Sequence, residues 1–220
     1  MTVRDSLPHI EQPAGDSAAN DDPQIFLVRH GETLWNREGR MQGRLDSPLT
    51  RLGQDQARRM GETLAEVIGD PAGFTLVSSP LGRAYHTMEL IAGRLGLPPA
   101  ACRIDRRLKE MSWGQWDGLT LHEIERYFPD ELEARARNTW RYSPPGGESY
   151  SMVLARVRPF LDEAVGHGRL IIVAHGVVVQ VLRGLYAGLR PEEIVSLPEP
   201  SEAVFRLIAG AVDTYAAEAA

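Results

Sequence analysis

Short apolar runs alternate along the chain with longer segments in which apolar residues return every three or four positions. "QIFLVRH" from Gln24 and "RLIIVAH" from Arg169 have the pattern of buried strands, and each ends in a histidine. "FTLVSS" predicts a further strand, "RIDRRLKEM" a short edge strand, and "AVFRLIA" a last one near the end of the chain. In "TRLGQDQARRMGETLAEVI", Leu52, Ala57, Met60, Leu64 and Val67 fall near one stripe of a helix. "PLGRAYHTMELIAGRLG" predicts a second helix, with Ser79 as its N-cap and Pro80 in its first position. "LTLHEIERYFPDELEARARN" is helical in parts and "YSPPGGESY" is a proline- and glycine-rich loop. Helices follow from about Tyr150 to Val165 and over "GVVVQVLRGLYAGL". No internal repeat of solenoid type is present.

Strands separated by helices of this length predict an α/β fold with three layers, α/β/α, and a mostly parallel central sheet, because parallel neighbours need crossover connections. Ligands of such sheets bind at the carboxyl ends of the strands. His30 and His175 each end a strand and each precede a glycine, so both belong to that edge. A single histidine at a strand end is commonly a packing or capping residue; the pair is what favours function. Arg29, inside an apolar run, demands an anionic partner, either a ligand or a structural carboxylate. Arg83 falls on the first turn of the second helix, where the "SSP" start would aim it at the strand ends; a solvated charge is the plain alternative. Glu110, near Arg107 and beside Lys109, reads on its own as part of a surface salt-bridge cluster.

Composition narrows the class. The 220 residues suffice for one buried domain, here residues 23–220, preceded by a polar, aperiodic leader over residues 1–22. A net charge of −6 argues against a nucleic-acid-binding surface. The single cysteine, Cys102, excludes an internal disulfide and a Cys-rich metal site, and fits a reducing compartment. No apolar run approaches the roughly 18 to 20 residues of a membrane span, and the N-terminus lacks a signal-peptide pattern. The chain therefore reads as cytoplasmic, with no membrane and no nucleic acid among its partners. No strong metal-ligand spacing is present, and no metal or other cofactor is required.

"LVRHGET" followed by "WN", then "SSPLGRAYHT", "LKEMSWGQWDGLT", "PPGGES" and "VAHG" resemble, in order, the signature blocks of the histidine phosphatase superfamily. The resemblance is to the branch that holds cofactor-dependent phosphoglycerate mutases and their phosphatase relatives. It runs from about Ile25 to the "AVFRLI" segment and implies a phosphoglycerate mutase-like fold. It implies His30 as the nucleophile that becomes phosphohistidine, Arg29, Arg83 and His175 as the rest of the phosphate pocket, and Glu110 as proton donor to the leaving oxygen. Asn36 matches a further phosphate contact and Thr33 a small hydroxyl position. Gln42 and Gly43 match positions that line the substrate pocket. Trp113 falls where the family places an aromatic beside the substrate, with a core role equally open.

Those residue types suit phosphoryl transfer. Two arginines present planar, always-charged forks to a dianion whose charge redistributes during reaction. A histidine nucleophile must be neutral at the attacking nitrogen, with its other nitrogen donating to a fixed acceptor such as a backbone carbonyl. Glu110 must hold a proton near neutral pH, and His175 is expected to be protonated when phosphate is bound. The resemblance leaves phosphatase or mutase to decide. Mutases of the family carry a lysine where this chain has Leu121, and an insertion where only about 35 residues separate Glu110 from Gly146. The reading is therefore a metal-independent phosphomonoester hydrolase acting on a small phosphorylated substrate, such as a sugar phosphate or phosphoglycerate-type ester. A 2,3-bisphosphoglycerate-dependent phosphoglycerate mutase is the alternative, and a non-catalytic module that binds phosphorylated ligands a remote one. Specificity is expected from "REGRMQGRLD" and from the region between Trp113 and Tyr150; Arg37, Arg40, Arg44 and Arg141 either favour anionic substrates or are solvated charges. A homodimer is left open.

Overall fold

A computed structural model describes residues 24–217 except residue 167; the leader expected over residues 1–22, with His9, and His167 lie outside the described residues. In chain order the elements are β1 (Gln24–Arg29), α1 (Leu34–Arg37), α2 (Arg51–Ile68), β2 (Thr75–Ser78), α3 (Gly82–Leu95), β3 (Arg103–Ile104), α4 (Leu121–Tyr127) and α5 (Pro129–Arg137). They continue with α6 (Tyr150–Val165), β4 (Arg169–Ala174), α7 (Gly176–Tyr186), α8 (Pro191–Val195), β5 (Ala203–Ile208) and β6 (Ala211–Ala216).

The strands form one sheet in the order β3-β2-β4-β1-β5-β6. The pairings β3–β2, β2–β4 and β4–β1 are parallel; β1–β5 and β5–β6 are antiparallel. Unbroken apolar runs occur where both faces are covered, and side chains then alternate between two cores. Ile25, Leu27, Leu170 and Ile172 pack with Val153 and Phe160 of α6 and Val178 and Leu182 of α7. Phe26, Val28, Ile171 and Val173 face the other way, onto Met60 and Leu64 of α2 and Met88 and Ile91 of α3. Each such side chain contributes about 1.5 to 3 kcal/mol on burial. The expected three layers are therefore present, with the sheet parallel at its centre and antiparallel along one side.

Three local expectations need correction. In α2 the buried stripe is Gln56, Ala57, Met60, Gly61, Leu64 and Ile68, whereas Leu52 is 48% exposed and Val67 only half-buried. α3 begins at Gly82 with Leu81 as N-cap, and Ser79 does not cap it. Its first N–H groups instead meet the carboxylate of Asp46, which accepts from Gly82 and, at 3.3 Å, from Arg83. The strand expected as the last one, β5, is followed by another, β6. Ala209 and Gly210, at φ 48° and 78°, make a tight turn that returns the chain along β5. The returning strand is largely exposed, so it lacks the apolar pattern of a buried strand.

Candidate active site

Neighbouring strands deliver the central residues. β1 and β4 run in parallel with Arg29 opposite Ala174, so His30 and His175 leave the sheet side by side, their ring centroids 5.2 Å apart. β2 lies on the far side of β4 and turns through residues 79–81 into α3, whose second residue is Arg83.

His30 is buried, and its Nδ1–H donates to the Gly31 carbonyl at 2.8 Å. That bond leaves the lone pair on Nε2, which accepts from Nε–H of Arg83 at 3.2 Å. Burial first, then the charges of Arg83 and Arg29, hold its pKa well below the ordinary imidazole value, against the opposing effect of the Gly31 bond. Gly31 is needed here: a Cβ would lie 2.1 Å from the carbonyl oxygen of Gly53, where the turn after His30 rests on α2.

Arg83 is 2% exposed and fixed on three sides. Nη1 donates to the Leu45 carbonyl at 2.7 Å and to Asp46 Oδ1 at 3.1 Å, and Nη2 donates to the Gly43 carbonyl at 2.8 Å. Asp46 thus both caps α3 and orients the arginine at its start. Gly43 has φ 51°, and a Cβ on it would fall 1.9 Å from Asp117 Oδ1.

His175 is fully buried, with Nε2 2.7 Å from Ser79 Oγ and Nδ1 without a partner. Burial, then the charges of Arg83, His30 and Arg29, keep its pKa well below the ordinary value. The shift at both rings favours the neutral imidazole, and an anion placed beside His175 would oppose it. Glu110 is also buried; Oε1 accepts the Met111 N–H at 2.8 Å and Oε2 the Val177 N–H at 3.4 Å. Burial and then the charge of Glu199 raise its pKa, outweighing Met111 N–H, Arg83 and Arg29. Arg29 donates through Nη1 to the Glu199 carbonyl and lies 3.9 Å from Glu199 Oε2, while its buried Nε–H is unpartnered.

A cavity of about 290 Å³ opens over these groups. Of the ten residues singled out in the sequence, Arg29, His30, Asn36, Gln42, Gly43, Arg83, Glu110 and Trp113 line it. His175, buried beside His30, is not on that wall. Thr33 is not on the wall either: its hydroxyl accepts the Asn36 N–H at 3.1 Å, caps α1, and donates to Asn36 Oδ1 at 3.0 Å. Thr33 thereby holds Asn36, whose amide NH₂ is left for an acceptor. Gln42 Oε1 is buried without a partner. Trp113 stacks on Trp116 at 6.3 Å in the core and also walls the cavity.

Among the arginines considered for anionic substrates, Arg37 and Arg141 are exposed, Arg44 pairs with Glu148 at 3.0 Å, and Arg40 lines the cavity but is paired with Glu38 and Glu123. His86 and His122 lie off the cavity. Sequence reasoning did not single out Arg135, Tyr150 or Glu199, which also line the cavity, together with the apolar Met41 and Val177. Arg135 and Tyr150 fall inside the region expected to set specificity, with nothing in their local pattern to mark them. Glu199 precedes β5, and because β5 runs against β1 its beginning lies at the ligand edge. That direction was the missing signal. Among the described residues no group of three or more His, Cys, Asp or Glu is placed to hold a metal ion, and no helix is long and apolar enough to cross a membrane.

The sequence profile of the histidine phosphatase superfamily (branch 1) matches residues 25–208. A glucosyl-3-phosphoglycerate phosphatase of Mycobacterium tuberculosis is 37% identical over 174 residues, covering 72% of this chain and 73% of that protein. A 2,3-bisphosphoglycerate-dependent phosphoglycerate mutase of Beijerinckia indica is 34% identical over 182 residues, covering 80% and 86%. The solved structure of a mycobacterial glucosyl-3-phosphoglycerate phosphatase in complex with VO3 superposes with a TM-score of 0.74 at 31% identity, covering 88% of this chain and 98% of that one. With two histidines and two arginines gathered at one sheet edge and a profile match over most of its length, the chain belongs to the histidine phosphatase superfamily, branch 1.

Proposed function

We propose that the protein is a phosphomonoesterase that passes a phosphoryl group to Nε2 of His30 and then to water. One observation carries this reading: His30, with Nδ1–H bonded to the Gly31 carbonyl and its lone pair left on Nε2, lines a cavity that also holds two arginines and the Glu110 carboxyl group. In the first step the N–P bond forms as the bond from phosphorus to the leaving oxygen breaks, and that oxygen takes the proton of Glu110. In the second step Glu110 accepts a proton from the attacking water, and inorganic phosphate leaves. Arg83, already aimed at Nε2, and Arg29, with an unpartnered donor, bind the phosphoryl oxygens as their charge redistributes. The chemistry asks for no metal.

The substrate is a small phosphorylated metabolite that carries a second anionic group, such as a phosphoglycerate-type ester. Arg135 supports this. Its guanidinium sits over the Trp113 ring at 5.3 Å on the cavity wall, and among the described residues no carboxylate forms a salt bridge with it. The relatives named glucosyl-3-phosphoglycerate phosphatase point the same way. Mutase turnover is the second reading, supported by relatives named as mutases. Hydrolysis is favoured because Leu121 stands where mutases place lysine and is 49% exposed, away from the cavity wall. The deciding experiment is phosphate release from 3-phosphoglycerate and p-nitrophenyl phosphate with chelator present, against phosphoryl exchange between phosphoglycerates with 2,3-bisphosphoglycerate added. Release without exchange supports the hydrolase, and exchange without release supports the mutase.

A further inference from the structure

Glu199 is a carboxylate inside a pocket built for an anion, and it is held there. Three consecutive carbonyls, of Leu197, Pro198 and Glu199, accept side-chain donors from Gln180, Arg183 and Arg29 respectively. Gln180 and Arg183 are buried residues of α7, and Gln180 is itself fixed by the Tyr150 hydroxyl at 3.1 Å. This clamp sets the Glu199 carboxylate against Gly176, where a Cβ would lie 1.8 Å from Oε2. The next residue, Val177, gives its N–H to Glu110. Two carboxylates thus share the first turn of one helix and one cavity.

We propose that Glu199 is a positioning residue of the proton donor: its charge, clamped beside the start of α7, keeps the proton on Glu110. The two acids are told apart by surroundings. Glu110 is buried, whereas the Glu199 side chain keeps 33% of its surface exposed; burial raises the pKa of Glu199 as well, but Arg29 and Arg135 beside it oppose that rise and favour its ionised form. Glu110 is faced by Arg29 from β1 and Arg83 from α3, which favour its anion, by the Tyr150 phenol from α6, and by Glu199, which favours its acid. Removing the charge of Glu199 leaves the two arginines less opposed, so the proton departs at lower pH.

This inference rests on the role of Glu110 proposed above, and the test separates the two. The quantity measured is kcat/KM for 3-phosphoglycerate against pH, whose basic limb reports loss of the donor proton in the free enzyme. In Glu199→Gln the limb is expected to move down by about one pH unit or less, because a partly exposed charge is screened. Glu199→Asp, which keeps the charge, restores it toward the wild-type position. Glu199→Ala repeats the test should the glutamine variant not fold. A limb that is lost in Glu110→Gln but unmoved, or moved up, in the charge-removing variants overturns the inference alone. A rise in KM with an unmoved limb assigns Glu199 to placing Arg29 and overturns it equally. A limb that survives in Glu110→Gln overturns both the role of Glu110 and the inference.

Discussion

Arg83 donates its Nε–H to Nε2 of His30 at 3.2 Å, while Nδ1–H of the same ring donates to the Gly31 carbonyl at 2.8 Å. The arginine therefore marks the atom that attacks, and it is held in place by Gly43, Leu45 and Asp46 rather than by a ligand. Lysine would keep the charge but lose the fork that reaches His30 and those three acceptors together. Arg83→Lys is expected to lower kcat/KM for any phosphomonoester by about 100-fold or more, the scale of one preorganised donor. Steady-state phosphate release checks this; a loss under threefold would contradict the assigned geometry.

Glu110 should matter in proportion to the proton the leaving group needs. Glu110→Gln is expected to lower kcat/KM for 3-phosphoglycerate by about 10² to 10⁴-fold. The loss should be much smaller for p-nitrophenyl phosphate, whose phenolate departs without a proton. Comparing the two substrates in one variant is the measurement, and equal losses would deny Glu110 the role of acid.

On the proposed reading Arg135, over the Trp113 ring and with no salt bridge among the described residues, binds the far end of the substrate. Arg135→Ala is expected to raise KM for 3-phosphoglycerate by about tenfold, or 1.4 kcal/mol, and to leave p-nitrophenyl phosphate nearly unchanged. A uniform effect on both substrates would assign the residue to folding or to the phosphate site instead.

The buried imidazoles predict a pH dependence of stability. His30 and His175 have pKa values held well below 6.5, while the unfolded chain titrates near 6.5. Below about 6.5 the unfolded state binds more protons, so each histidine lowers stability by up to about 1.4 kcal/mol per pH unit until the folded pKa is reached. Urea unfolding at pH 7.5 and pH 5.5 should show this acid loss, and His175→Asn should shrink it. If the loss is the same in His175→Asn, His175 is not buried neutral.

Much of the site was legible because its carriers are unusual in context. Arg29 inside an apolar run, and histidines that end two buried strands, conflict with simple burial, and such conflicts gather at functional sites. Arg83 and Glu110 needed the surrounding blocks, since an arginine on a first helical turn or a glutamate among basic residues has an ordinary surface explanation. Ser79 shows the limit of local rules. Its sequence context is that of an N-cap, but its hydroxyl bonds to His175 from 96 residues away, and Asp46 takes the helix N-terminus instead. Thr33 matched the family's small hydroxyl position, and its hydroxyl bonds to Asn36, a partner that the motif alone does not name. Glu199 and Arg135 reach the cavity through strand direction and helix placement, and neither is encoded in a short window of residues.

The central claim is a phosphoryl group carried on His30, and the most direct measurement is to trap it. Rapid-quench mixing with a ³²P-labelled phosphomonoester, followed by denaturation at alkaline pH and peptide mapping, reads the bond itself. The account predicts label on the peptide containing His30, stable to base and lost in acid, and absent from His30→Ala, which should also release no phosphate. Phosphate release by His30→Ala near the wild-type rate, or label on another residue, would contradict it.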